Sequence, residues 1–310
     1  MRVLVTGVNG FVGKHLAREL KKRGSEVIGI GREASPAAEL KELLAEYFVC
    51  DLMDKEAISK LPLEKIDAVV SLAGLARVGD SFANPEKYKA VNVGVLTNLL
   101  QPLVEKNLRP RVTAISPRTL YDPTESLPLS EDSKLAKDVS PYALSKMLME
   151  QAAESFRAKG LKIIIVRPFN HIGPGQEEGF LVPDLFAKIE VAKSSGQPIK
   201  VGNLSTRRDY TDVRDVVRAY GDLALVNQLN YDIYNICSGK SVSGQEILDR
   251  LLKLTGVEIK AEVDKSLQRP NDILDLYGSY QRLRKETGWQ PQISLEKTLE
   301  DFVKSKNNPT

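Results

Sequence analysis

A phenol and an ammonium stand four residues apart in the segment Tyr142-Ala143-Leu144-Ser145-Lys146. On an α-helix, residues with this separation lie on one face, so the two side chains are expected to be neighbours. A free tyrosine has a pKa of about 10, and a neighbouring cation favours the phenolate and lowers that pKa. The pair is therefore a candidate acid or base for interconverting a carbonyl and an alcohol. The alternative is a pair of surface residues without a chemical role.

A glycine-rich turn, Thr6-Gly7-Val8-Asn9-Gly10-Phe11-Val12-Gly13, lies between an apolar run at 3–5 and a helical pattern at 11–23. Gly7 allows a tight turn, Gly10 lets the backbone approach a pyrophosphate, and Gly13 lets the helix and the strand pack closely. The helix N-terminus then offers N–H groups and a positive dipole to the phosphates. In this strand-to-helix context the glycines predict a dinucleotide site. The alternative is a loop that only reverses the chain.

The end of the second predicted strand indicates which dinucleotide is bound. An NAD site usually has an acidic residue about 20 residues past the glycines, which binds the ribose hydroxyls. This chain has Gly31 and Arg32 there, and a guanidinium binds a 2′-phosphate through charge-assisted hydrogen bonds. We therefore expect NADP(H) to be preferred, with NAD(H) possible, unless Arg32 is a solvated surface residue. Asp51 is a candidate contact for the adenine, or else the cap of the next helix.

Short β-branched runs alternate with helical patterns in the first two-thirds of the chain. The runs lie at 3–5, 27–30, 48–50, 68–70, 112–115 and 163–166. Runs this short and this continuously apolar are typical of strands buried on both faces. The alternation predicts an α/β fold with a doubly wound parallel (Rossmann) sheet. We predict a dinucleotide-binding domain at 1–167 plus about 212–240, and a smaller, discontinuous C-terminal substrate domain at about 168–211 and 241–310.

Composition excludes several classes of function. The 310 residues include 44 Lys and Arg and 41 Asp and Glu, a formal charge of +3. So balanced a charge gives no electrostatic reason to expect nucleic acid or a membrane surface as a partner. The two cysteines, Cys50 and Cys237, are far apart, so neither a disulfide framework nor a metal site is expected. Since no targeting segment and no membrane-spanning apolar stretch is visible, we expect a cytoplasmic protein.

Taken together, these residues resemble the extended short-chain dehydrogenase/reductases that act on nucleotide sugars, in the NAD-dependent epimerase/dehydratase family. The resemblance runs nearly from end to end. It is carried by 6–13, Asp51, Leu72-Ala73-Gly74, Asn92, Tyr142 with Lys146, Arg167-Pro168-Phe169-Asn170, 208–213, Gly288-Trp289 and Pro291. Within the family the chain is most similar to the GDP-6-deoxy-4-keto-mannose reductases, through 169–176, 201–204 and Arg269-Pro270-Asn271-Asp272.

The resemblance implies a role for each matching residue. Tyr142 would protonate the C4 oxygen of a sugar, while Lys146 would hold the nicotinamide ribose and lower the pKa of Tyr142. The residues implied to bind the cofactor are Gly7, Asn9, Gly10, Phe11, Val12, Gly13, Arg32, Asp51, Leu52, Leu72, Ala73, Gly74, Asn92, Tyr142, Lys146 and Arg167. Those implied to bind the substrate are Asn170 at the diphosphate, Arg208 and Arg269 at phosphates, Lys188 in the nucleotide pocket, and Asp272. An ion pair with Asp209 or Asp212 is the alternative for Arg208.

The family pattern is broken after the fifth predicted strand. The family places a Ser or Thr four residues before a tyrosine, where the hydroxyl binds the substrate carbonyl. Counting back from Tyr121, that position is Pro117, which has neither a side-chain donor nor a backbone N–H. Ser116 and Thr119 are the candidate replacements. Losing one such donor costs a factor of about 10²–10³ in rate, which slows an enzyme without abolishing turnover.

The leading hypothesis is reduction, by NAD(P)H, of C4 of a nucleotide-linked 4-keto-6-deoxy sugar, in particular GDP-6-deoxy-4-keto-D-mannose to GDP-D-rhamnose. A nucleotide-sugar 4-epimerase with bound NAD is the second hypothesis. The third, suggested by Pro117, is a dinucleotide- or sugar-nucleotide-binding protein with little catalysis. The resemblance also suggests a homodimer in which the helices near 95–104 and from 142 onward form a four-helix bundle. Burial of these helices within one chain is the alternative.

Overall fold

The central element of the fold is a parallel sheet of seven strands. The computed structural model describes residues 1–267 and 273–307. The strands of this sheet are β1 Arg2–Thr6, β2 Glu26–Gly31, β3 Leu44–Val49, β4 Ala68–Ser71, β5 Arg111–Ile115, β6 Lys162–Pro168 and β10 Ile233–Ile236. Their order is β10-β6-β5-β4-β1-β2-β3, and each neighbouring pair is parallel. The predicted α/β fold with a doubly wound Rossmann sheet is confirmed.

Helices cover both faces of this sheet because its central strands are apolar on both sides. In β1, Val3 and Val5 join one core and Leu4 joins the other, as the alternation of a strand requires. The helices are α1 Phe11–Lys22, α2 Lys55–Ser59, α3 Val78–Ala83, α4 Pro85–Glu105, α5 Pro141–Arg157, α6 Leu181–Ser195, α7 Val213–Leu225, α8 Gly244–Thr255, α9 Gln281–Thr287 and α10 Leu295–Asn307. α1 and α7 pack on the face of the sheet that contains Val3, and α4 and α5 pack on the opposite face, which contains Leu4. The strand order reverses between β1 and β4, where such sheets bind their ligands.

A smaller region is built from separate stretches of chain. Its four-stranded sheet contains β7 Asn170–Ile172, β9 Arg207–Asp212, β11 Ser241–Ser243 and β13 Asp275–Leu276, and β8 Ile199–Val201 pairs with β12 Ala261–Val263. The helices α6, α8 and α10 enclose its core. The predicted boundaries assign all of 241–310 to this region, yet Leu283 of α9 and Trp289 pack in the core beneath the large sheet. The boundaries between two domains stay a prediction.

The start of α5 determines where the predicted Tyr–Lys pair lies. Ser140 is the N-cap of this helix, and its hydroxyl accepts a hydrogen bond from the backbone N–H of Ala143. Pro141 occupies the first helical position, where its missing N–H removes no helical hydrogen bond. Tyr142 and Lys146 therefore lie on the first two turns of α5.

The structure also bears on membranes, metals and disulfides. Within residues 1–267 and 273–307, no helix is both long enough and apolar enough to span a bilayer. The same residues contain no group of three or more His, Cys, Asp or Glu side chains able to hold a metal ion. Cys50 and Cys237 are buried free thiols, and burial raises the pKa of each, so neither is a reactive thiolate at neutral pH.

Candidate active site

The turn between β1 and α1 is shaped to receive an anion. Gly7 has a φ of +67°, and a Cβ on Gly13 would lie 2.4 Å from the carbonyl oxygen of Gly7 and 2.6 Å from that of Val8. Only glycine permits α1 to begin so close to this turn. Gly10 is the N-cap of α1 and makes no side-chain capping bond to this helix. The first turn of α1 also carries no acidic residue that would repel an anion. These features fit the pyrophosphate of a nicotinamide dinucleotide, which the N–H groups of the first turn would bind.

Phe11 and Val12, the first two residues of α1, are partly buried against the core beneath the sheet. The Phe11 ring stacks on His171 with ring centroids 6.3 Å apart and meets His15 edge-on at 5.5 Å. A ring nitrogen of His15 lies 2.8 Å from the carbonyl oxygen of Pro174. These side chains therefore fasten α1 to the loop after β7. The first N–H groups of an α-helix have no partner within the helix, and those of α1 are the predicted phosphate ligands.

Asn9 links the glycine-rich turn to the end of β2. Its Nδ2 donates to the carboxylate of Glu33 at 2.7 Å and to the hydroxyl of Tyr47 at 3.1 Å. The hydrogen bond from Asn9 lowers the pKa of Glu33, so this edge carries a negative charge at neutral pH. A Cβ on Gly31 would lie 2.8 Å from that carboxylate. Sequence reasoning selected the exposed Arg32 and missed Glu33, although an acidic residue directly after Arg32 was a signal that could have been used.

Asp51 and Leu52 lie just after β3. The side chain of Asp51 is exposed, and the cap of α2 is Asp54, whose carboxylate accepts two backbone N–H groups of that helix. The alternative role of Asp51 as the helix cap is therefore wrong, and its role as an adenine contact stays a prediction. Leu52 is buried, and its carbonyl oxygen accepts a hydrogen bond from Asn98 Nδ2 at 3.0 Å.

The loop at 72–74, which follows β4, passes directly over two predicted cofactor residues. A Cβ on Gly74 would lie 2.8 Å from Oδ1 of Asn92 and 3.8 Å from Nζ of Lys146. Asn92 is buried. Its Oδ1 accepts a hydrogen bond from the backbone N–H of Leu75, just after this loop, and its Nδ2 donates to the carbonyl oxygen of Leu75. The same Nδ2 donates to Ser145 Oγ at 2.8 Å. The structure thus gives Asn92 the role of holding the loop against α5.

Tyr142 is a buried phenol, only 9% exposed, whose ring meets Tyr88 edge-on with centroids 6.3 Å apart. Burial raises the pKa of Tyr142 well above its ordinary value, Tyr88 adds to the rise, and the charge of Arg118 lowers it. The phenol therefore keeps its proton at neutral pH. A protonated phenol on the first turn of α5 is suited to donate that proton to a substrate oxygen.

Lys146 lies one turn further along α5 and is partly buried. Its Nζ donates to the carbonyl oxygen of Ile115 at 2.9 Å, at the end of β5. Burial lowers the pKa of Lys146 to about 8, and the carboxylate of Glu150 opposes this effect. The sequence led us to expect that Lys146 lowers the pKa of Tyr142, whereas in the structure the cation with that effect is Arg118. Lys146 as a ribose ligand stays a prediction.

The loop after β5 carries the departure from the family pattern. Pro117 precedes a 3₁₀ turn at Arg118–Leu120. The hydroxyls of Ser116 and Thr119 are both buried, and within the described part of the chain neither has a hydrogen-bond partner. An unpartnered buried hydroxyl is costly and needs an explanation, so both residues stay candidates for a ligand contact. Which of them contacts a substrate stays a prediction.

Arg118 is a candidate functional residue that sequence reasoning missed. Its Nε donates to Oδ1 of Asn170, the first residue of β7, at 3.3 Å. Asn170 pairs in register with Tyr210 of β9, and the charge of Arg118 opposes the burial that raises the pKa of Tyr210. Arg118 therefore lies between the large sheet and the smaller region, near the buried phenol of Tyr142 and the partly buried phenol of Tyr210. Its position next to Pro117 was the signal that the sequence offered.

Arg167 is not directed at the glycine-rich turn. Its Nε and Nη2 donate to the two carboxylate oxygens of Glu150 at 3.0 and 2.6 Å, and its guanidinium lies 4.9 Å from the ring centre of Tyr121. The Tyr121 hydroxyl in turn donates to Asn235 Oδ1 at 2.6 Å. Arg167 is only 3% exposed, so the structure gives it a supporting role that joins α5, β6 and β10.

The other predicted substrate residues lie at several places around the smaller region. Arg208, on β9, donates through Nη1 to two backbone carbonyls, each at 2.7 Å. Lys188 of α6 is bound to the carbonyl oxygen of Lys200 at 2.7 Å. Arg269 and Asp272 lie outside the described residues. The structure thus brings Asn170 and Arg208 to neighbouring strands, and it ties Lys188 to β8.

Comparison with known proteins gives this site a family. The pattern of the "NAD dependent epimerase/dehydratase family" matches residues 3–237. A GDP-6-deoxy-D-mannose reductase from Pseudomonas aeruginosa is 31% identical over 96% of this chain and 94% of its own. A UDP-glucose 4-epimerase from Lactobacillus helveticus is 30% identical over 94% of this chain and 92% of its own. Reductases and epimerases are therefore both among the relatives.

Solved structures show the same two kinds of protein. RMD from Pseudomonas aeruginosa complexed with NADPH has a TM-score of 0.85 and 29% identity, over 98% of each chain. A UDP-glucose 4-epimerase from Thermotoga maritima with UDP-glucose has a TM-score of 0.87 and 25% identity, over 99% of each chain. Both neighbours extend over nearly the whole fold, so the similarity includes the smaller region as well as the large sheet.

Proposed function

The chain belongs to the NAD dependent epimerase/dehydratase family, and on that premise we propose that it is a nucleotide-sugar 4-ketoreductase. It is an NAD(P)-dependent enzyme of the oxidoreductase type. The proposed reaction transfers hydride from NADPH to C4 of GDP-6-deoxy-4-keto-D-mannose and gives GDP-D-rhamnose. The observation that carries this proposal is the buried phenol of Tyr142, which is held in its protonated form beside the predicted dinucleotide site.

The protein's part in this reaction is to deliver a proton and to hold the substrate. A reduced nicotinamide, when bound, supplies the hydride that adds to the ketone carbon. Tyr142 donates its phenolic proton to the ketone oxygen and afterwards recovers a proton from solvent. Lys146 holds the ribose, and Asn170 and Arg208 bind the diphosphate, as the resemblance implies. The N–H groups after Gly10 hold the pyrophosphate at the positive end of α1.

The test is to incubate the purified protein with NADPH and GDP-6-deoxy-4-keto-D-mannose and to follow cofactor absorbance at 340 nm. We expect the cofactor to be oxidised and GDP-D-rhamnose to form, identified by NMR of the product. The Tyr142→Phe variant loses one predicted cofactor contact, so it should bind NADPH within a few-fold of the wild type, but it should turn over about 10²–10⁴ times more slowly, the usual contribution of a positioned acid. Wild-type oxidation no faster than that of the variant would refute the proposal.

A 4-epimerase is the second candidate, and the acidic edge at Glu33 favours it. A carboxylate there would accept a hydrogen bond from the 2′-hydroxyl of NAD and would repel the 2′-phosphate of NADP. An epimerase keeps its NAD⁺ bound through the catalytic cycle. The protein as purified should then contain stoichiometric NAD⁺, measured after denaturation by its absorbance and chromatography, and should convert UDP-glucose without added cofactor.

The preference for NADP(H) belongs to the proposal and depends on Arg32. The Arg32 side chain is exposed and lies next to Glu33, so two opposite charges stand side by side at the end of β2. In our proposal the guanidinium binds the 2′-phosphate with charge-assisted hydrogen bonds. The ratio of kcat/KM for NADPH to that for NADH tests this preference, and Arg32→Gln should lower that ratio by about tenfold, equivalent to the roughly 1.4 kcal/mol of one such contact.

We also propose a cytoplasmic homodimer that forms through α4 and α5. The leucines of α4 are buried within one chain, as the alternative interpretation holds. The outer face of α5 instead offers Leu144, which is 36% exposed, together with the partly exposed Met147 and Leu148. Light scattering at micromolar concentration should give twice the mass of one chain, and Leu144→Glu should lower it to one. A monomeric wild type would remove the dimer from the proposal.

A further inference from the structure

At position 117 the candidate site lacks the hydroxyl side chain that the family pattern has there, and the next residue is a cation, Arg118. Pro117 occupies the expected hydroxyl position and cannot donate a hydrogen bond. Arg118 follows it at the start of the turn Arg118–Leu120, and this turn packs against α5, the helix that carries Tyr142. Where the family pattern has the small neutral hydroxyl of a Ser or Thr at position 117, this chain has the long, charged side chain of Arg118 one residue later.

The position of Arg118 is defined by contacts on both sides of the cleft. On the side of the smaller region, its Nε is 3.3 Å from Oδ1 of Asn170, and Asn170 pairs with Tyr210 across β7 and β9. On the side of the large sheet, the turn that carries Arg118 packs against α5, and the positive charge of Arg118 lowers the pKa of Tyr142 on that helix. Arg118 therefore contacts the strand that is predicted to hold the substrate diphosphate, and it does so from a turn that packs against the helix of the proton donor.

We propose that Arg118 binds the C4 oxygen of the keto sugar and stabilises the negative charge that develops there during reduction. This inference rests on the proposed function. A guanidinium is always charged and carries five N–H donors in a planar fork, so it can contact Asn170 and a ligand oxygen together. A charged donor directed at a developing oxyanion is worth a factor of about 10²–10³ in rate, the contribution that Pro117 would otherwise have removed.

The step is balanced without a proton from Arg118. The ketone carbon accepts the hydride with its electron pair, and the electron pair of the C=O π bond moves to the oxygen. Tyr142 supplies the proton that converts this oxygen into the alcohol, while the dinucleotide is left oxidised. Arg118 keeps all of its protons because a guanidinium is not deprotonated in proteins. Its contribution is to hold the oxygen beside Tyr142 and to lower the energy of the charged transition state.

The experiment compares Arg118→Gln and Arg118→Lys with a matched control, Arg109→Gln. Arg109 is an exposed arginine that precedes β5, at the opposite end of the strand from Arg118. We expect Arg118→Gln to lower kcat by about 10²–10³ and to raise KM only several-fold, in line with a contact that is stronger in the transition state than in the bound substrate. Arg118→Lys should recover part of that loss, since it keeps the charge without the fork. Arg109→Gln should match the wild type, and all variants should bind NADPH with wild-type affinity, which shows that they are folded.

Binding measurements separate this role from that of a diphosphate ligand. By calorimetry, GDP alone should bind equally well to the wild type and to Arg118→Gln, while GDP-mannose should bind the variant several-fold more weakly. If GDP and GDP-mannose both lost affinity and kcat stayed unchanged, Arg118 would be a diphosphate ligand and the inference would be overturned. Wild-type kinetics and affinities in Arg118→Gln would overturn it as well.

The same measurements distinguish failure of this inference from failure of the proposed function. If the wild type reduces no keto sugar, the reductase proposal fails, and the difference between GDP and GDP-mannose binding still decides whether Arg118 contacts the sugar. If the wild type is active and Arg118→Gln is equally active, the reductase proposal stands and the inference about Arg118 is wrong.

Discussion

Replacing Lys146 with methionine should make the protein more stable at neutral pH while it abolishes the predicted ribose contact. The folded protein holds the Lys146 amine in a partly buried site where its pKa falls from 10.5 to about 8. Between these two values the unfolded chain binds more protons than the folded chain, so stability rises as the pH rises. Methionine is unbranched and of similar length but carries no charge in either state, so Lys146→Met should lack this dependence.

The magnitude follows from the size of the pKa change. Each pKa unit corresponds to about 1.4 kcal/mol, so the change from 10.5 to about 8 weakens folding by roughly 3 kcal/mol at pH 7. At pH 9.5 the folded amine is neutral, and the remaining cost is roughly 1 kcal/mol. The difference in unfolding free energy between Lys146→Met and the wild type should therefore shrink by about 2 kcal/mol between pH 7 and pH 9.5. The lost hydrogen bond to Ile115 changes the offset and leaves this pH dependence unchanged.

The assay is urea unfolding of the wild type and the variant at pH 7, 8, 9 and 9.5, with the free energies extrapolated to zero denaturant. Taking the difference between the two proteins removes the contributions of the two buried cysteines and other shared groups. Tyr142→Phe is the matched control, because it alters the neighbouring turn of α5 and keeps Lys146, so its pH dependence should follow the wild type in this range. A difference between Lys146→Met and the wild type that is the same at pH 7 and pH 9.5 would show that the amine is not titrating as the structure implies.

Three further predictions follow from contacts around the site. Glu33→Gln should raise the preference for NADPH over NADH about tenfold in kcat/KM, since it removes the carboxylate next to Gly31; an unchanged ratio would place Glu33 outside the site. Gly13→Ala should weaken dinucleotide binding and lower the melting temperature, because its Cβ would meet backbone oxygens at 2.4 and 2.6 Å; wild-type binding in calorimetry would contradict the cradle. Arg167→Met should cost about 3–5 kcal/mol in urea unfolding by leaving the partly buried Glu150 without this partner, and Glu150→Gln in the same chain should restore part of it; independent, additive losses would contradict the pairing.

Local sequence rules were sufficient for the large sheet, and they were weakest at its edge. The predicted strands at 3–5 and 68–70 correspond to Arg2–Thr6 and Ala68–Ser71, because strands buried on both faces are apolar throughout. The third strand was predicted at 48–50, whereas in the structure it comprises Leu44–Val49. β3 is the edge strand of the sheet and is partly exposed along its length, so a search for continuous apolar runs detects only its end.

The parts of the site that the sequence did not reveal are pairings between residues distant along the chain. Arg118 donates a hydrogen bond to Asn170, 52 residues further along the chain, and the sequence near Pro117 does not indicate this partner. In the same way, the motif around Arg167 suggested a ligand contact, while the folded chain brings Glu150 of α5 to its guanidinium. An arginine in a motif identifies a donor, and only the packing of the surrounding elements determines which acceptor it meets.

The chain passes repeatedly between the two sheets, and this limits how the enzyme can be taken apart. It leaves the large sheet after β6, returns where β9 runs directly into α7, enters the large sheet again at β10 and leaves it for β11. At the second of these junctions Asp212 is both the last residue of β9 and the N-cap of α7, so no spacer is available for splicing. The smaller region is therefore not a transplantable module. A change of ligand specificity in such a scaffold is expected to come from substitutions within the chain rather than from exchange of a whole region.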